Sequence, residues 1–287
     1  MKRSSETILV HHLVSIKLKP RPPTGKKRSE RTQPVVLSIA GYDPSSGAGI
    51  TADIKTIAAH GCYGVTCITA LTVQSTQGVR RVEPVRGDLI TETLDKLAAD
   101  VEIAAVKIGM LGSGEAAHAV AAFLTREKPR YVVLDPILKS SSGAPLLSAD
   151  GVRILKDNLL RSAFVVTPNT GEAATLTGMT VANLDQMAQA AENLRALGAR
   201  NVIVTGGHLE STADLIHAEF RRRPLIFKGK RIITNSTHGT GCAFSTALAC
   251  NLARGQNLIQ AAKSAKDFVE AALRNPPGVG KGAGPVV

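Results

Sequence analysis

Tryptophan is absent from this chain of 287 residues, aromatic residues make up only 3% of it, and there are four cysteines. So few aromatics leave no aromatic-plus-basic platform on which nucleic-acid bases could stack. Cys62, Cys67, Cys242 and Cys250 form no C-x-x-C pair, and histidines at metal-ligand spacing are missing. This argues against a zinc site or a disulfide framework and predicts a reducing, cytoplasmic setting. No run approaches the ~18–20 apolar residues that span a membrane. Residues 7–18 are apolar but are broken by His11, His12 and Lys17, and no small-residue cleavage site follows, so they do not read as a secretory signal. The Walker A pattern G-x-x-x-x-G-K-[ST] and the protein-kinase motif set are absent too, which disfavours both of those kinase classes.

Charge is present in excess, at a net +12, but it is unevenly placed. Residues 1–33 hold nine Lys or Arg against Glu6 and Glu30, a net +7, and the remaining 254 residues carry +5. Pro20, Pro22, Pro23 and Gly25 argue against folding there. Residues 1–33 therefore read as a basic, disordered extension, with a weak polyanion contact as the alternative. Residues 34–287, rich in Leu, Ile, Val and Ala, suit one globular domain.

From Pro34 onward, β-branched runs alternate with amphipathic stretches. Strands are predicted at 35–40, 64–73, 104–109, 131–134, 163–167 and 201–205. Helices are predicted at 48–60, 87–100, 114–127, 148–159, 185–198, 242–254 and 257–274. Such alternation implies right-handed β-α-β units, hence an α/β three-layer sandwich with a mostly parallel central sheet. Residues 213–233 break the rhythm and read as a hairpin or flap. Residues 275–287, rich in Gly and Pro, read as a closing loop or loose tail. Sheets of this kind bind ligands at the carboxyl ends of their strands. Glycine-rich and polar clusters fall at those ends: 41–49, Asp135-Pro136, Thr167-Pro168-Asn169, Gly206-Gly207-His208 and 238–242.

The most informative stretch is His238-Gly239-Thr240-Gly241-Cys242, a glycine turn opening into an apolar helix. Free backbone N–H groups and the positive end of the helix dipole converge there, a setting for a phosphoryl group that also predicts a lowered pKa for Cys242. A plain helix entry with a buried cysteine fits the same five residues. Asp43, in the 41–49 loop, suits a ligand hydroxyl or amine, or caps the next helix. Asn169 and Glu172, three residues apart at a helix start, can orient water around Mg²⁺, or form a capping pair. Asp135 can face phosphates or metal, or belong to a turn. Phosphoryl transfer needs these parts: positioned phosphates, charge neutralisation, aimed donors and a base for the acceptor hydroxyl.

In order and number, the clusters resemble the ribokinase-like superfamily, and within it the hydroxymethylpyrimidine/phosphomethylpyrimidine kinases of thiamine biosynthesis. The pieces that carry the resemblance are Ile39–Ile50 with Ala52–Thr56, Thr69–Thr72 with Gln74 and Thr76, Val106–Leu111, Asp135-Pro136, Thr167–Asn169 with Glu172-Ala173, Gly206–Leu209, His238–Cys242 and Gly278–Pro285. The resemblance implies that Gly239, Thr240 and Gly241 form an anion hole for the γ-phosphoryl group of ATP, and that Cys242 is the base for the substrate hydroxymethyl. It implies a pyrimidine pocket lined by Asp43, Gly41, Ala48, Thr51 and Val73. It also implies a nucleotide site of Asp135, Asn169, Glu172, Thr205 and Gly207, with Asn169 and Glu172 holding Mg²⁺ through water. A homodimer is implied, with no nucleic-acid or membrane partner. Three positions depart from the family pattern: Thr51 replaces a glutamine that contacts the pyrimidine, Thr205 replaces a lysine near the phosphates, and Ser75 replaces an asparagine. Lys139 is the cation available to take over from that lysine. Pyridoxal/pyridoxine kinase is the alternative activity, and a catalytically weak pyrimidine-binding regulatory protein is the alternative of another class.

Overall fold

The structure is a computed structural model that describes residues 33–140, 143–207 and 212–287. Apart from Gln33, the proposed basic extension lies outside the described residues, as do His208 and Leu209. One nine-stranded sheet organises the domain, in the order β3-β2-β1-β4-β5-β6-β7-β8-β9. The strands are β1 (Val35–Tyr42), β2 (Tyr63–Ser75), β3 (Gly78–Pro84), β4 (Ile103–Ile108), β5 (Val132–Leu134), β6 (Val165–Val166), β7 (Val202–Val204), β8 (Asp214–His217) and β9 (Leu225–Phe227). β1, β2, β4, β5, β6 and β7 run parallel; β3, β8 and β9 are antiparallel additions at the two edges.

Strand alternation builds the layers. Leu37, Ile39, Val106 and Ile108 face one side, where they meet α2 (Gly87–Asp100), α3 (Gly114–Glu127), α6 (Thr170–Thr177) and α7 (Leu184–Ala196). Val36, Ala105, Val133, Val165 and Ile203 face the other, against α1 (Gly49–Ala59), α8 (Thr240–Ala253) and α9 (Leu258–Arg274). The expected three-layer α/β fold is thus present. Among the described residues, no helix is long and apolar enough to cross a membrane.

Some elements differ from expectation. The 64–73 strand runs longer and turns back into β3, whose alternation is half-exposed and polar (Arg80, Arg81, Glu83). The predicted 148–159 helix is α4 (Ala149–Ile154) followed by a π turn at Leu155–Leu159 and α5 (Leu160–Ser162). α6 is a short separate helix, too brief for a periodic signal, bounded by an Asn169 cap and a left-handed Gly178. The segment read as a hairpin or flap adds β8 and β9 to the sheet. The closing segment is tied down: Gly284 N–H donates to Asn235 O, His238 N–H to Gly284 O, and Val286 N–H to His238 O.

β1 is the strand at which the order reverses, with β2 on one side and β4 on the other. A crevice opens beyond the carboxyl end of a strand so placed. The loop that follows β1 begins at Asp43 and ends at α1.

Candidate active site

α8 starts without a side-chain cap. Gly239 precedes it with φ +83°, a left-handed conformation that costs glycine nothing. The amides of Gly241 and Cys242 find no acceptor among the described residues, so an uncapped helix terminus leaves its donors free for a ligand. Gly239 is needed for space as well, because a Cβ there would overlap the carbonyl oxygen of Gly47. The 238–242 turn and the 41–49 loop therefore meet backbone to backbone.

Asp43 knits that loop together. Its carboxylate accepts from Ser45 N–H (2.8 Å), Ser45 Oγ (2.7 Å), Gly47 N–H (3.2 Å), Ala48 N–H (2.9 Å) and His238 Nε2 (2.8 Å). Burial opposes the ionised form, but the hydrogen bonds from His238 and Ser45 outweigh it and hold the carboxyl below its usual value. Its oxygens are thus committed to the loop and to His238. Thr51 Oγ1 likewise turns onto the loop, donating to Asp43 O and Ala48 O. Gly41 is buried against Met110. Val73, expected in the pocket, is 47% exposed on the outer side of β2. Its neighbours Thr72 and Gln74 occupy the inner side, in contact with Tyr42 O and with His238. The pocket reading was one residue out of register, and on a strand one residue changes the face.

Cys242 lies in the first turn of α8, and its pKa is shifted in the direction opposite to that expected. It is 5% exposed, and burial pushes its thiol up to about 12; Lys107 works against this, Asp53 and Asp135 with it, and Gly49 N–H donates to the sulfur. Desolvation outweighs the opposing Lys107 charge and Gly49 N–H, so the resting group is a thiol and the expectation of a lowered pKa fails.

Beneath Cys242 lies a network absent from the predicted site. Lys107, on β4, is fully buried and pairs with both oxygens of Asp53 on α1 (3.0 and 2.9 Å). Asp53 also accepts from Ser38 Oγ of β1 (2.5 Å) and Thr246 Oγ1 of α8 (2.7 Å). The sequence did carry a signal for it. Lys107 interrupts an apolar strand run, and Asp53 lies between Ile50 and Ile57 on the buried face of α1.

On the phosphate side, Asn169 and Glu172 form a reciprocal capping box, each side chain 2.9 Å from the other's amide. Glu172 also accepts from Leu138 N–H, and the exposed Lys139 follows on the same loop. Asp135 Oδ2 accepts from Ser245 Oγ (2.9 Å) and faces Gly241. Burial raises the pKa of both Asp135 and Glu172, and the charge of Asp135 raises that of Glu172 further. Thr205 N–H donates to Pro168 O, which brings the 205–207 turn beside Asn169. Gly207 is exposed, with open space around its Cα. Asp43, Asp135, the 169–172 box and the 238–242 turn thus line one edge of the sheet.

The phosphomethylpyrimidine kinase family model matches residues 43–287. The hydroxymethylpyrimidine/phosphomethylpyrimidine kinase of Haemophilus influenzae is 43% identical over 256 residues, covering 87% of this chain and 94% of that protein. The thiamine biosynthesis bifunctional protein of Geobacter sulfurreducens is 42% identical over 88% of this chain, which spans about half (51%) of that longer protein. Among solved structures, the pyridoxal kinase of Staphylococcus aureus in complex with AMP-PCP and pyridoxal matches with a TM-score of 0.78 at 30% identity, covering 88% of this chain and 92% of that one. The fold is therefore ribokinase-like, shared with ATP-using vitamin kinases, and this chain belongs to the phosphomethylpyrimidine kinase family.

Proposed function

We propose that this protein transfers the γ-phosphoryl group of ATP to the hydroxymethyl group of 4-amino-5-hydroxymethyl-2-methylpyrimidine, and then phosphorylates the monophosphate to the diphosphate. The observation that carries this reading is the uncapped N-terminus of α8, facing the glycine loop beyond β1. Phosphoryl transfer proceeds through a loose transition state and is catalysed mainly by position and charge. Gly239, Thr240 and Gly241 set the backbone amides against the equatorial oxygens of the transferring group. Those donors need no rearrangement as charge develops. The 41–49 loop and the inner face of β2 hold the pyrimidine ring, and the alcohol approaches Cys242. Because the resting thiol is protonated, Cys242 positions the hydroxyl first and acts as base only from its thiolate, which Lys107 favours and burial opposes.

Among the described residues, no group of three or more His, Cys, Asp or Glu is placed to hold a metal ion. Mg²⁺ needs less than that, since one or two carboxylates together with substrate phosphates suffice. Asp135 and Glu172, two mutually repelling buried carboxylates beside the anion hole, fit that requirement, with the Asn169 box holding Glu172 in place. When bound, Mg²⁺ neutralises phosphate charge. Thr205 and Gly207 border the nucleotide, and Lys139 supplies the cation that the family lysine would have given. The half-exposed Leu71 and Val73 on the outer side of β2 offer apolar surface for the expected homodimer, which light scattering tests.

The pyridoxal kinase reading draws on the structural match and on Thr51, whose hydroxyl is used up within the loop. ADP release with Mg-ATP and hydroxymethylpyrimidine, its monophosphate or pyridoxal decides between them. Faster turnover on either pyrimidine supports the proposal, and faster turnover on pyridoxal replaces it. Pyrimidine binding without ADP formation identifies a binding protein instead.

A further inference from the structure

His238 has no part in the chemistry above, yet three segments of the site meet at it. Its Nε2 lies 2.8 Å from Asp43 Oδ2 and 3.0 Å from the Gln74 amide. Its backbone pairs with the 284–286 segment on both sides. Its ring packs on the 41–49 loop so closely that a Cβ on Gly47 would overlap Cδ2. The next residue, Gly239, begins the anion hole.

Hydrogen-bond arithmetic gives this cluster one consistent arrangement. Asp43, ionised by its surroundings, only accepts, so His238 Nε2 carries the proton and donates to it. That nitrogen has no lone pair left for a Gln74 N–H, and Gln74 therefore faces it with Oε1. Amide oxygen and nitrogen interchange by a half turn. The reversed amide nitrogen then donates to Thr72 Oγ1, 3.4 Å away, while Thr72 donates its own proton to Tyr42 O at 2.9 Å. The single Nε2–H is then shared between Asp43 Oδ2, the nearer acceptor, and Gln74 Oε1. The inner rim of β2, the loop after β1 and the turn before α8 become one hydrogen-bonded unit.

We propose that His238 is a positioning residue, which locks the substrate loop and the β2 rim to the anion-hole turn and so fixes the approach of the substrate alcohol to the transferring phosphoryl group. The inference rests on the kinase reading above and assigns to it the contact that aligns the two substrates. Asp43 then serves the substrate through His238 and the loop, since its oxygens are already occupied. A misplacement of about 1 Å costs on the order of 10²-fold in rate. Loss of alignment also lets water compete with the alcohol for the phosphoryl group.

The test compares His238→Met, of similar length but without the donor, with His238→Gln, whose amide nitrogen can reach the position of Nε2. ADP and phosphorylated pyrimidine are quantified together, and binding of AMP-PCP and of hydroxymethylpyrimidine is measured by calorimetry. The expected result for His238→Met is a kcat lower by roughly 10–100-fold, ADP in excess of phosphorylated pyrimidine, weaker pyrimidine binding and AMP-PCP binding within about twofold of wild type. His238→Gln restores the equality of ADP and product. If His238→Met keeps that equality and its kcat, the proposal is wrong even though the wild type is a kinase; a wild type without turnover would instead remove the kinase reading itself. Should His238→Met fail to fold, Asp43→Asn and His238→Ala, alone and combined, provide the same readout: uncoupling by the pair no greater than by the stronger single variant supports the lock, and additivity overturns it.

Discussion

The Lys107–Asp53 pair and the Asp135–Glu172 pair are both buried near the first turn of α8, but only the first contains its own counter-charge. Asp53 faces an ammonium and two hydroxyls, and Lys107 spends its charge on both carboxylate oxygens. Asp135 and Glu172 repel each other, and their carboxyls sit above the ordinary range. The closed cluster joins β1, α1, β4 and α8 and has no capacity left for a ligand. The open one feels the charge of Lys107 at Asp135 but has no cation paired with either carboxylate among the described residues, the condition of a site completed by a ligand. Burial of charge alone therefore does not mark a site; the state of its compensation does.

The largest effect should come from opening the closed cluster. Lys107→Met leaves Asp53 buried without its ion partner, a loss of about 3–5 kcal/mol in unfolding free energy. Adding Asp53→Asn should recover most of it, since a neutral pair of similar shape has little left to desolvate. Urea denaturation of both variants checks this, and equal losses in both would show that the pair is not the keystone.

Cys242 lies between the clusters and feels both, with Lys107 favouring its thiolate and the aspartates opposing it. Cys242→Ala should lower kcat by roughly 10²–10⁴-fold if the sulfur acts as a general base, with the KM for ATP little changed. A loss below tenfold would mean that the anion hole carries the reaction alone. Because burial holds the thiol near 12, its alkylation by iodoacetamide should be slow at neutral pH and keep rising up to that pH.

A smaller effect separates the clusters by pH. Glu172 has a folded-state pKa above its ordinary 4.5, so the folded protein keeps a proton that the unfolded chain has lost. The contribution is complete below 4.5 and is lost as pH rises through the elevated value, so stability without divalent cation should fall over that window. Glu172→Gln should flatten this slope, and Mg²⁺ should stabilise the wild type more at the alkaline end than at the acid end. A slope unchanged by both would place the titration elsewhere.

What the sequence revealed follows the same division. The layers were legible because alternating strands and amphipathic helices are local signals. The 238–242 turn was legible because glycine and a helix start are neighbours in the chain. The direction of the Cys242 pKa was not legible, because the glycine turn and helix start are local and burial of the thiol is not. The exposure of Val73 and the inward side of Thr72 and Gln74 were not legible, because a strand's two faces can be told apart only once its partners are known. The Lys107–Asp53 pair, 54 residues apart, left only faint marks: a lysine among apolar neighbours and an aspartate on an apolar helix face.

The smallest expected effect concerns Thr205, beside the open cluster. Its backbone is fixed by Pro168 and Asn169, its side chain is partly exposed, and Gly207 beyond it is surrounded by open space. A lysine there places a positive charge on the side of Asn169 and Glu172. Partly exposed charge pairs contribute about 0–1 kcal/mol. Thr205→Lys should therefore lower the KM for ATP several-fold at most, with kcat nearly unchanged and the gain shrinking as salt is added. A salt-independent gain would mean that lysine acts through packing. No gain at low salt would show that Lys139 or the bound cation already supplies the charge, which would make the open cluster self-sufficient once its ligand is in place.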